Sequence, residues 1–145
     1  MSVKTFLRVR FYNTDEMGVF HHAKYIRWFE TGRVEYLRSI GITLTEMIED
    51  GFLFPITEIK VKYLHSAKFD DELVLETTGL ELTKAKMEFD YKIRRASDNQ
   101  ILAKGFSQNV FTNAATGKIT RLPEKYFSKL ADAMKKELEE KNADN

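Results

Sequence analysis

The sequence contains no cysteine. That one absence excludes disulfides, thiolate metal sites and a cysteine nucleophile. Charge of either sign is not in excess: the formal net charge is +1, so no broad field points to nucleic acid or an anionic membrane. No apolar run is long enough for a signal peptide or a membrane span, which predicts a cytoplasmic protein without membrane insertion. Internal repeats, low-complexity stretches and linkers are also missing. The 145 residues are therefore expected to form one domain over 1–145 with room for a real core. A polar tail over 139–145 is expected to fray.

What is present is organised by period. Phe6 to Phe11 alternates and reads as an opening strand. From about His22 to Ile40 the spacing becomes helical, with Tyr25, Ile26, Phe29, Gly32, Tyr36, Leu37 and Ile40 on one stripe and Gly41 as a stop. A mid-helix glycine costs about 1 kcal/mol relative to alanine. Gly32 is either tolerated there or needed so that the helix can press on a sheet, and its place on the apolar stripe favours the second reading. Trp28 and Val34 lie off the stripe, so the helix is expected to be largely enclosed. Thr43 to Asp50 reads as a short helix with a Thr43/Glu46 capping box, ended by Gly51.

Beyond it the period is two. Ile59, Val61 and Tyr63 alternate with charges, and Leu73, Leu75 and Thr77 follow after a loop containing His65, Asp70 and Asp71. Met87, Phe89, Tyr91 and Ile93 face inward against a wet face of Lys86, Glu88, Asp90, Lys92 and Arg94. Asp98-Asn99 turns tightly into a strand from Ile101 to about Thr112. Pro123 opens a last amphipathic helix with Phe127, Leu130, Met134 and Leu138 on one face. Strand, long helix, four sequential antiparallel strands and a helix make an α+β architecture, with the sheet wrapped around the first helix.

The chemistry concentrates in Tyr12-Asn13-Thr14-Asp15-Glu16-Met17-Gly18-Val19-Phe20-His21-His22-Ala23-Lys24-Tyr25. Asn, Thr and Asp in series are ordinary turn formers. Here they precede a glycine and the start of a helix, where free backbone N–H groups and a partial positive charge of about half a unit gather. A carbonyl can be polarised there while Asp15 attacks it or directs water at it. An ionised aspartate suits a thioester, whose thiol leaves with a pKa of about 8.5 and needs little help from an acid. Adjacent His21 and His22 point in different directions and cannot chelate one ion, so no metal is expected. His22 reads either as a donor of its main-chain N–H to a substrate carbonyl or as a plain capping or surface histidine. No G-x-S-x-G elbow, phosphate loop or dinucleotide fingerprint is present. Glu30 and Arg33 read as a structural ion pair, and Arg94-Arg95 as soluble surface.

The run from Asn13 to Tyr25, continuing through Trp28, Glu30 and Arg33, resembles the 4-hydroxybenzoyl-CoA thioesterase family. It is especially similar to the bacterial acyl-CoA thioesterase branch associated with the Tol–Pal cluster. Phe54-Pro55-Ile56, Val61, Tyr63, Ala67 and Phe69-Asp70-Asp71-Glu72-Leu73 agree with it. The resemblance implies a hotdog fold and hydrolysis of an acyl-CoA to free acid and coenzyme A. Asp15 would be general base or nucleophile, Gly18 the loop glycine, and the main chain at His22 the donor to the thioester carbonyl. Asn13 stands where relatives often carry a first aspartate, so the role falls on Asp15 alone. The acyl pocket would be lined by Val19, Tyr25, Phe29, Phe54 and Ile56. A homodimer or homotetramer with the site at the subunit interface is implied, and no cofactor, coenzyme A being part of the substrate. Lys60, Lys62, Lys68, Arg94, Arg95 and Arg121 are all eligible to meet its phosphates. Other readings are a hydroxyacyl-thioester dehydratase and a hotdog domain that binds or scaffolds acyl thioesters without turnover.

Overall fold

The computed structural model describes residues 3–9 and 24–143, with side chains through 140. The elements are β1 (Val3–Arg8), α1 (Lys24–Ser39), α2 (Leu44–Glu49), β2 (Phe52–Leu53), β3 (Ile56–Tyr63), β4 (Glu72–Leu82), β5 (Lys86–Arg95), β6 (Ile101–Val110), β7 (Thr112–Asn113) and α3 (Glu124–Ala143). Five strands form one sheet in the order β1-β4-β5-β6-β3, and β2 pairs with β7 separately. Every pairing is antiparallel. The hotdog architecture implied by the sequence is the one observed.

Its centre is α1, whose buried residues are Tyr25, Phe29, Gly32, Arg33, Tyr36 and Leu37. Gly32 serves close approach: a Cβ there would overlap Thr77 Oγ1 and stand 3.0 Å from Leu75 Cδ2 on β4. Gly105 on β6 does the same from the sheet side, since a Cβ would overlap the Phe29 ring. Phe29 in turn stacks on Tyr91 with centroids 4.3 Å apart. Met87, Phe89 and Ile93 are fully enclosed, and burying side chains of this size contributes roughly 1.5–3 kcal/mol each. Gly41, at φ +84°, ends α1 with paired bonds from Gly41 N to Arg38 O and Ile42 N to Leu37 O, a Schellman cap. Thr43 caps α2 by accepting from Glu46 N at 3.1 Å.

Four expectations need correction. The first strand starts at Val3, and its inward residues are Val3, Thr5 and Leu7, opposite Thr77, Leu75 and Leu73. Phe6 therefore faces outward and is 68% exposed. β3 does not pair with β4. It lies at the other edge beside β6, because the segment between Tyr63 and Glu72 carries the chain across the end of the sheet. β6 stops at Val110, and Thr112 belongs to the small β2–β7 ribbon. On α3 the buried residues are Tyr126 and Leu130, while Leu138 is 59% exposed. Leu130, Phe127 and Met134 do pack on the core as expected, so the stripe fails only at Leu138, and it gains Tyr126, whose hydroxyl donates to Asp50. No helix among the described residues is long and apolar enough to cross a membrane.

Candidate active site

Asp15, Gly18, Val19, His21 and His22 lie outside the described residues. The structure describes the first turn of α1, which follows them in sequence. α1 packs closely on β4 at Gly32 and, through Phe29, on β6 at Gly105. Tyr25 lies in that first turn, 1% exposed, edge-on to Trp28 and 5.6 Å from the Tyr63 ring. Burial first, and the neighbouring Tyr63 second, push its phenol up to about 12. Its ring packs in the core between Trp28 and Tyr63. Phe29, one turn on, has no exposed surface. Ile56 opens β3 and is 38% exposed. Phe54 stacks on Phe111, 5.1 Å between centroids.

Phe54 also lines a cleft of about 320 Å³. α1 contributes Glu30, Arg33, Val34 and Leu37, α2 contributes Leu44 and Ile48, and Leu53, Phe54 and Pro55 form the third wall. The walls are apolar except for the first two residues. The expected Glu30–Arg33 ion pair is not formed among the described residues. Arg33 turns inward instead, 6% exposed, and its Nη1 donates to the Tyr91 hydroxyl at 3.2 Å. From there a directed chain runs through the interior. Tyr91 OH lies 2.6 Å from Ser107 Oγ, Ser107 Oγ donates to Asn109 Oδ1 at 3.4 Å, and Asn109 Nδ2 donates to the Phe54 carbonyl at 3.0 Å. With the first link occupied by Arg33 as donor, Tyr91 gives its own proton to Ser107, and every link has a donor and an acceptor. Burial raises the Tyr91 phenol, with Arg33 pulling the other way.

Arg33, Tyr91, Ser107 and Asn109 were not picked out from the sequence as site residues. The signal was there: Arg33 falls among the stripe positions of α1, and Ser107 and Asn109 have the inward parity of β6. The eligible cations also separate. Arg95 is committed to Asp71, Asp98, Gln100 and the Ser66 carbonyl, tying the loop before β4 to the β5–β6 hairpin. Arg94 is held by Glu76 and Asn99, and Lys60 by Glu58 at 3.2 Å. Lys62, Lys68 and Arg121 make no ion pair among the described residues. No group of three or more His, Asp and Glu side chains that could hold a metal converges among the described residues.

With this geometry in hand, likeness to known proteins is informative. The acyl-CoA thioesterase YbgC of Haemophilus influenzae is 36% identical over 90 residues, covering 61% of this chain and 66% of that protein. The chain thus spans just under two thirds of that relative's length. The crystal structure of a hypothetical protein from Thermus thermophilus superposes with a TM-score of 0.83 at 28% identity, covering 88% of this chain and 96% of the other. That of DHNA-CoA thioesterase from Staphylococcus aureus gives 0.87 at 24% identity, covering 99% and 95%, which speaks for the hotdog fold alone. The thioesterase-like superfamily model matches residues 9–134, and the chain belongs to that family.

Proposed function

We propose that this protein is a thioesterase that hydrolyses an acyl-CoA to the free acid and coenzyme A. The observation that carries the reading is the family match over residues 9–134, together with the Haemophilus influenzae relative named as an acyl-CoA thioesterase. The chemistry falls on the Asp15–His22 segment that leads into α1. Asp15 acts as base or nucleophile toward the thioester carbon. The main chain at His22, at the positive end of the helix, donates to the developing oxyanion, a contact that contributes on the order of 3 kcal/mol. α1 is suited to this because its packing at Gly32 leaves it little freedom, and a fixed donor costs no reorganisation in the transition state. Gly18 gives the loop room to approach the thioester.

Val19, Phe54 and Ile56 are the residues proposed to meet the acyl group, with Tyr25 and Phe29 acting behind them by fixing the first turns of α1. The active form is a homo-oligomer with the site at the subunit interface, in the cytoplasm. Support for the oligomer is the outer edge of β3, which pairs with no strand among the described residues, and where Ile56 and Tyr63 are 38% and 41% exposed. Lys62, Lys68 and Arg121 are the cations left to meet phosphates. The test is thiol release from a panel of short, medium, long and aromatic acyl-CoAs. Release with matching free acid is the expected result. No release from any member contradicts the proposal and leaves a domain that binds acyl thioesters without turnover.

A further inference from the structure

We infer that the cleft between α1, α2 and the start of β3 binds an apolar monocarboxylate, with Arg33 holding the carboxylate. The inference goes beyond the hydrolase reading, although the cleft shares Phe54 with the residues proposed to meet the acyl group; its test uses free acids and amides, so it can fail while thioester hydrolysis stands. Arg33 is 6% exposed, and a guanidinium keeps its charge under all ordinary conditions while presenting five N–H donors. Among the described residues its one hydrogen-bond partner is the neutral Tyr91 hydroxyl, and no carboxylate lies within ion-pair distance. Among the described residues this buried cation has no counter-charge, a costly arrangement that a carboxylate entering the cleft relieves by two parallel N–H···O bonds.

The rest of the cleft fixes the ligand's body and charge. Leu37, Ile48 and Leu53 give it apolar walls, and about 320 Å³ is at the lower end of small-molecule sites, roughly 300–1,000 Å³. The size suits a medium alkyl or an aryl acid. The charged groups that line it are Arg33 and Glu30. One cation, with an exposed carboxylate beside it, matches a single negative charge and disfavours a dianionic phosphate. Pre-organisation comes from the chain of hydrogen bonds behind Arg33, which ends on the Phe54 carbonyl and so ties the guanidinium to the opposite wall. Free acid released by thioester hydrolysis belongs to this ligand class, but binding of the acid itself requires no thioester.

The experiment is calorimetric titration of the full chain with octanoate and phenylacetate, against their neutral amides. The expected result is carboxylate binding at least about tenfold tighter than amide binding, reduced to the amide level by Arg33→Gln. Should Arg33→Gln fail to fold, Glu30→Gln decides. It removes an exposed like charge from the mouth of the cleft, and carboxylate affinity is expected to rise about two- to fivefold at low salt, with the gain shrinking as salt is added. Equal binding of acid and amide, or an unchanged affinity in Glu30→Gln, overturns the inference. So does the absence of binding by either acid.

Discussion

Gly32 of α1 and Thr77 of β4 approach so closely that a single added methyl would overlap Thr77 Oγ1. Helix propensity alone says that alanine at position 32 gains about 1 kcal/mol. Packing says the reverse, because Leu75 stands 3.0 Å from the same methyl and both partners are fully buried. Packing wins, since forcing a methyl into a full core costs about 1–3 kcal/mol or more. Gly32→Ala is expected to lower Tm by roughly 3–10 °C at this chain length, as read by thermal melts. A higher Tm would show that the helix and sheet yield freely.

The chain from Arg33 to the Phe54 carbonyl gives a second expectation. Tyr91→Phe keeps the ring that stacks on Phe29 and deletes the hydroxyl between Arg33 and Ser107. Both are then left without that partner in the interior, at a cost of about 1–3 kcal/mol. Urea denaturation checks it, and an unchanged midpoint would mean that the bonds to Tyr91 contribute nothing to stability.

Two carboxylates are expected to respond to pH with opposite signs. Glu137 on α3 accepts from Gly79 N at 3.1 Å, and its burial raises its carboxyl above the ordinary 4.5. Its contribution to stability is therefore full below about 4.5 and is lost as pH rises through the raised value. Asp50 is lowered from 3.8, first by the bond from Lys125 and then by that from Tyr126. Its contribution is present above about 3.8 and is lost as pH falls through its lower folded value. Melts from acid to neutral pH should show Glu137→Gln gaining on the wild type as pH rises and Asp50→Asn losing ground. Parallel curves for all three proteins would contradict both assignments.

Local elements were legible in the sequence wherever one residue type settles the backbone. The alternation of Met87, Phe89, Tyr91 and Ile93 is the buried face of β5, Thr43 caps α2, and Gly41 ends α1. Pairing at a distance was not legible. Nothing in the β3 residues says that they pair with β6 and not with β4, because period two marks a strand without naming its neighbour. The phase of α3 was read at Phe127, Leu130 and Met134, which pack on the core, but not at its ends: Leu138 is exposed, and the Asp50 contact made by Tyr126 lies 76 residues away. In the site, Arg33 was read with its helical neighbour Glu30 because charge pairs three apart usually meet in solvent. Its position among Phe29, Gly32, Tyr36 and Leu37 was the stronger signal, since all four of those face the core.

The measurement closest to the central claim compares Asp15→Asn with the wild type on the best acyl-CoA of the panel, with Tm taken as a check on folding. Loss of kcat by roughly 10²–10⁴-fold at unchanged Tm is the expected result for a positioned base or nucleophile. Turnover within a factor of about two of the wild type, well inside the effect of any essential group, would contradict the mechanism.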